Sequence, residues 1–113
     1  MINKREELIE EIETNNGRKV FSQFLLNQFD GVNKKLKQFS VVEVNPNEEI
    51  EYHVHEGDSD FYYIISGKGL YNDNGVITEV SAGTVTFTPS GEGHALKNIS
   101  EEQLVFIALV IDD

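Results

Sequence analysis

From Val20 to the C-terminus the chain alternates short strand-forming runs with turn residues. Nowhere there does it offer the crossover of about a dozen residues, usually helical, that joins parallel strands. The runs are "VFSQFLL" (Val20–Leu26), "LKQFSVVEV" (Leu36–Val44), "EIEYHVH" (Glu49–His55) and "DFYYIIS" (Asp60–Ser66), then "KGLYN", "GVITEV", "GTVTFTP", "HALKNI" and "QLVFIALVI". Between them stand "NPNE", "EGDS", "SGKG", "NDNG", "SAG" and "SGEG". "NDNG" predicts a tight hairpin, because Asn-Gly accepts the positive φ angles of a type I′ turn. The chain is thereby confined to an antiparallel sandwich or barrel. Ahead of these runs, Lys4–Glu13 reads as one short acidic helix with Leu8 and Ile12 on one face. It is too short to stand alone, and "NNG" (Asn15–Gly17) ends it in a turn. The expected organisation is a helix and turn over residues 1–19 and one domain over residues 20–113, a size that supports a single core.

Charge narrows the function classes. Twenty acids against nine Lys and Arg give a net charge of −11, which repels nucleic acid and anionic membrane surfaces alike. No apolar run is long enough to cross a bilayer, and "MINKREELIEEIE" lacks the apolar stretch of a signal peptide. There is no cysteine, so disulfides and thiolate metal sites are excluded and a reducing cytoplasm is the expected location. Arg5 and Arg18 are the only arginines, which leaves few tools for clamping a highly charged anion.

His53 and His55 lie two apart in a strand-forming run, so both imidazoles point to one face and Tyr52 and Val54 to the other. That spacing lets two imidazoles reach one cation, although taken alone it better describes a solvated strand face. The wider pattern decides. It runs His53-x-His55-x4-Asp60-x6-Gly67, and later Gly83-x5-Pro89-x-Gly91-x2-His94-x3-Asn98. With these two motifs, in this order, residues Leu36 to Ile111 resemble a small single-domain cupin. The second motif matches at every fixed position. The first departs twice: Asp60 stands where the family usually has Glu, and Asn47 where it usually has an opening Gly.

The resemblance implies an antiparallel jelly-roll barrel, metal ligands at His53, His55, Asp60 and His94, and a homodimer. Three neutral imidazoles and a carboxylate suit one divalent transition metal ion, whether Mn, Fe, Ni, Cu, Co or Zn. Aspartate is one methylene shorter than glutamate and reaches about 1.5 Å less far. Glu56, Asp58 and a site of histidines alone therefore stay open as alternatives. Pro89 and the glycines around the motifs read as turn formers, and Asn98 as a residue that hydrogen-bonds backbone inside the barrel.

Tyr62 and Ile64 share strand parity with Asp60 and are expected to line a substrate pocket with Phe39 and Phe87. Once the ligands are assigned no histidine remains for acid–base work, so Tyr62, Glu43 or a metal-bound hydroxide would have to serve; the catalytic residues are unassigned. The expected function is that of a metal-dependent enzyme (dioxygenase, decarboxylase, lyase or isomerase) acting on a small organic molecule. The alternative is a module that binds a small ligand or metal without turnover. The shortage of arginine weighs against a sugar-phosphate isomerase and against a decarboxylase for a small dianion. The apolar N-terminal run "VFSQFLL" is a candidate cover for a partner's edge strand.

Overall fold

The computed structural model describes residues 2–15, 18–24 and 33–113. It contains ten strands: β1 (Glu10–Asn15), β2 (Arg18–Phe24), β3 (Leu36–Val44), β4 (Glu49–Val54), β5 (Asp58–Ser66), β6 (Lys68–Asp73), β7 (Val76–Ser81), β8 (Val85–Thr88), β9 (Gly93–Asn98) and β10 (Leu104–Asp112). They form two antiparallel sheets, one of six strands in the order β1-β2-β3-β10-β5-β8 and one of four in the order β4-β9-β6-β7. This is a jelly roll whose two sheets face one another as a sandwich and do not join into a continuous hydrogen-bonded barrel. No helix among the described residues is long and apolar enough to cross a membrane.

Alternation builds the core. On β5 Asp58, Asp60, Tyr62 and Ile64 point inward, and on β10 Leu104, Phe106, Ala108 and Val110 do the same. Val42, Val44, Tyr71, Val80 and Leu96 complete the buried apolar cluster between the sheets. The "NDNG" hairpin joins β6 to β7 as expected, with Asn74 and Gly75 at φ 48° and 99° and Asp73 opposite Val76. Asn47 sits at φ 66°, a left-handed position that glycine would occupy without cost and that asparagine tolerates.

At the N-terminus the short helix is a 3-10 turn over Arg5–Glu7. From Glu10 onward the acidic run expected to be helical is strand, with Ile12 opposite Phe21 on β2. Ile12 is 67% exposed, so the Leu8/Ile12 spacing finds no surface to dock on, and pairing with β2 prevails. Asn16 and Gly17 of the expected "NNG" turn and the end of the "VFSQFLL" run (Leu25 and Leu26) lie outside the described residues. The described part of that run is β2, held between β1 and β3 of its own sheet.

Asn98 is fully buried and ties β9 to the chain around it. Its Nδ2 donates to the carbonyls of Val44 (2.9 Å) and Glu102 (2.7 Å), and its Oδ1 accepts from the Ser100 amide at 2.9 Å. Asn98→Ala strands these backbone groups in the interior, and a loss of about 2–4 kcal/mol is expected from the urea unfolding midpoint.

Candidate metal centre

His53 on β4 lies directly opposite His94 on β9, so pairing alone brings two imidazoles together. His55 follows one step beyond the end of β4. Between Ile50 and His53 the β4/β9 register slips by one residue, a β-bulge on the β4 side. The bulge reverses strand parity, so Ile50 and His53, three apart in sequence, both face the interior. Asp60 comes from the facing sheet, on β5. The four side chains therefore meet across the gap between the sheets.

The three histidines converge through Nε2. His94 Nε2 lies 3.0 Å from His53 Nε2 and 3.1 Å from His55 Nε2. Asp60 Oδ2 lies 3.2 Å from His55 Nε2 and 3.3 Å from His94 Nε2. Each imidazole is held from behind by its Nδ1. His53 Nδ1 donates to the Glu51 carbonyl at 2.8 Å, and His55 Nδ1 to Asp58 Oδ1 at 2.7 Å. His94 Nδ1 faces the hydroxyls of Tyr71 (2.7 Å) and Thr88 (3.0 Å), both of which are able to accept. With the proton on Nδ1, each ring turns a bare Nε2 lone pair toward the centre. Lone pairs and a carboxylate packed this closely repel one another unless a cation lies among them. The separations match the edges of a coordination polyhedron with metal–nitrogen bonds of about 2.1 Å. Asp60 Oδ1 is also buried without a hydrogen-bond partner. The cluster suits a metal site.

The electrostatics agree. Burial is the main force holding the His53 pKa below the usual 6.5, so the ring is neutral at pH 7. For Asp58, burial by itself raises the pKa. The hydrogen bonds from Lys37 (3.0 Å) and His55 outweigh it and keep the carboxyl below its usual 3.8. Burial raises the Tyr71 pKa above 10, so its phenol stays protonated. Asp58, an alternative ligand on sequence grounds, is thus a positioning residue behind His55, and Glu56 is exposed. Asp58→Ala is expected to weaken metal affinity about 10–100-fold by competition with a fluorescent chelator, since His55 loses the acceptor that fixes its tautomer.

The centre opens into a cavity of about 170 Å³ lined by His53, His55, Asp60 and Tyr62, with Ser22 and Gln38 as the further polar groups. Of the expected pocket residues, Tyr62 is in the wall, with its ring 4.9 Å from that of His94. Ile64 points inward but is wholly buried in the apolar core, away from the cavity. Phe39 and Phe87 have the opposite parity to their buried neighbours, Ser40 and Thr88. They lie on the outer face of the six-stranded sheet, with Phe87 48% exposed. Glu43, considered as a base, is also on that outer side of β3. Ser22 and Gln38 escaped sequence reasoning, since nothing in their neighbourhood marks which face of β2 or β3 looks inward.

Comparison with known proteins points one way. A family model described as a cupin domain matches residues 40–111. An oxalate-binding protein of Thermotoga maritima is 35% identical over 82 residues, covering 73% of this chain and 68% of that protein. Oxalate decarboxylase OxdC of Bacillus subtilis is 34% identical over 79 residues, 66% of this chain but only 20% of the larger enzyme. The crystal structure of a predicted oxalate decarboxylase from T. maritima superposes with a TM-score of 0.90 over 100% of both chains, at 32% identity.

Proposed function

The chain belongs to the cupin family, and on that premise we propose that it holds one divalent transition metal ion on His53, His55, Asp60 and His94 and binds a short dicarboxylate there, oxalate foremost. The observation that carries this reading is the convergence of three Nε2 lone pairs and the Asp60 carboxylate at one wall of a small cavity. Two relatives named for oxalate support the ligand class. The cavity, at about 170 Å³, falls below the roughly 300–1,000 Å³ of pockets for drug-sized ligands and fits a molecule of few atoms.

A bound divalent ion supplies the positive charge that a dianion needs. The scarcity of arginine therefore bears on this chain less than it would on a site without metal. Glu51, Asp58 and the Tyr71/Thr88 hydroxyls hold the three imidazoles in position. Tyr62 and Phe106, 4.3 Å apart between ring centres, form the apolar wall that limits water. Ser22 and Gln38 present neutral hydrogen-bonding groups to the carboxylate oxygens of the ligand. Binding is favoured over turnover by one feature of the described lining. Its polar groups beyond the ligands are a hydroxyl, an amide and a phenol, none of which exchanges a proton readily near neutrality.

The test is calorimetric titration of oxalate into metal-loaded and chelator-treated protein, with parallel assays for formate and carbon dioxide. Saturable binding by the loaded form alone, without product, is the expected result. Failure of the loaded form to bind oxalate overturns the ligand assignment. Release of formate transfers the protein to the decarboxylase reading.

A further inference from the structure

We propose that Lys37 is a positioning residue for the metal centre: its ammonium holds the Asp58 carboxylate against His55 and so fixes the imidazole that would bind the ion. The inference rests on the ligand set proposed above and extends it outward to the surface. It begins at a break in strand pairing. Gln38 of β3 lies opposite Val110 of β10 and Leu36 opposite Ile111, so Lys37 is an extra residue in β3, a second β-bulge. Simple alternation would put Lys37 on the outer face of the sheet with Phe39. The bulge frees it from that alternation, and its Nζ reaches over the end of β10 to donate to Asp58 Oδ2 on β5, at 3.0 Å. The other oxygen, Asp58 Oδ1, accepts from His55 Nδ1 at 2.7 Å. A half-exposed cation is thus joined, through one carboxylate, to one imidazole of the cluster.

Charge explains why the cation is needed there. Asp58 and Asp112 stand directly opposite one another on β5 and β10, and carboxylates so placed repel. Lys37 Nζ serves both, 3.0 Å from Asp58 Oδ2 and 3.4 Å from Asp112 Oδ1. An ion pair between exposed groups adds little. This one differs because Asp58 is only 8% exposed, and without Lys37 a nearly buried charge would face that of Asp112 uncompensated. The carboxylate would relieve the repulsion by turning toward solvent, and that turn takes Oδ1 away from His55. The backbone offers no comparable freedom. The Asp112 amide donates to the Lys35 carbonyl at 2.7 Å and the Asp113 amide to the Gly57 carbonyl at 2.9 Å, which ties the end of β10 to the residues beside Lys37 and Asp58. What is left to fix is the Asp58 side chain, and Lys37 fixes it. The other two rings are held differently, His53 by the Glu51 carbonyl and His94 by the buried hydroxyls of Tyr71 and Thr88. His55 is the ring whose orientation depends on a surface charge.

The test is a double-mutant cycle in the full chain, read as affinity for zinc and for cobalt(II) alone by competition with a fluorescent chelator. Lys37→Met keeps the aliphatic stem and removes the charge. It is expected to weaken affinity about 10-fold, the lower end of what losing an outer partner costs. Asp58→Ala and the double variant Lys37→Met/Asp58→Ala are expected to bind alike, because Lys37 acts only through Asp58. Lys37→Arg restores a cation and is expected to recover the affinity of the parent. In chelator-treated protein, imidazole nitrogen NMR is expected to show His55 losing its Nδ1–H form in Lys37→Met and keeping it in Lys37→Arg, a change that a general loss of stability does not produce. If Lys37→Met loses its far-UV circular dichroism signature, Lys37→Gln decides by the same criteria. Unchanged or tighter binding by Lys37→Met overturns the role of Lys37 alone, as do losses that add in the double variant. A parent protein that binds neither ion overturns the ligand set, and this inference with it.

Discussion

His94→Ala is expected to emerge from purification without stoichiometric metal and to melt about 15–23 °C below the parent protein. The imidazole is fully buried and has three tasks. Its Nε2 sits between those of His53 and His55, its Nδ1 meets the hydroxyls of Tyr71 and Thr88, and its ring packs 4.9 Å from Tyr62. Losing a ligand that binds only the folded state forfeits about 2.7 kcal/mol when free metal stands near a hundredfold above its dissociation constant. The hydroxyls left facing a void cost about 1–3 kcal/mol more. In a domain of this size each kcal/mol moves the melting temperature by about 4 °C. Elemental analysis and thermal melts with and without a chelator separate the two contributions. The chelator should lower the melting temperature of the parent protein and leave the variant where it was. A variant that keeps its metal would show that the remaining side chains suffice and would remove His94 from the ligand set.

Phe106→Ala is expected to cost about 3–5 kcal/mol, a large share of the roughly 5–15 kcal/mol that stabilises a domain. Phe106 is 1% exposed, lies 4.3 Å from Tyr62 between ring centres, and forms part of the cavity wall. Its truncation removes apolar burial and merges the new void with the existing cavity. The urea midpoint should fall with little change in slope. The enlarged cavity should also lose part of its discrimination between oxalate and longer dicarboxylates in the calorimetric titration. A cost below about 1 kcal/mol would mean that Tyr62 and Val42 close the gap, and the wall would then be softer than its packing indicates.

Turn chemistry and strand parity made much of the sandwich readable before any coordinates. Each run from Leu36 onward became a strand, and "NDNG" became the hairpin, because local backbone preference and side-chain alternation agreed there. The candidate cluster was legible through the two motifs that resemble the cupin pattern, since that resemblance implies His53, His55, Asp60 and His94 as ligands, and the structure brings these four together. Asp60 reaches the imidazoles despite its short side chain, because it enters from the opposite sheet. What escaped was long-range. The bulge that brings Ile50 and His53 to one face is set by the β4/β9 register, which no local pattern announces. At β8 the hydrophobic rule inverts: Thr86 and Thr88 are buried while Val85 and Phe87 face outward. The inner side is polar there because Thr88 serves His94. Parity said that Phe87 and Thr88 part company, and hydrophobicity favoured the wrong one as the inner residue. At the N-terminus a faint helical spacing yielded to pairing with β2, whose contribution depends on residues outside the helical window.

The candidate ligands come from both sheets, His53 and His94 from β4 and β9, His55 from just beyond β4 and Asp60 from β5, which ties their assembly to the order of folding. No segment of the unfolded chain holds the site, since Asp60 and His94 meet only when sequence-distant strands have found their places. Closing such loops is slow compared with local hairpins. An ion held on this cluster would therefore be captured at the last stage of folding and would have little hold on the protein's precursors. It would act as a clasp between finished sheets, not as a seed around which they grow.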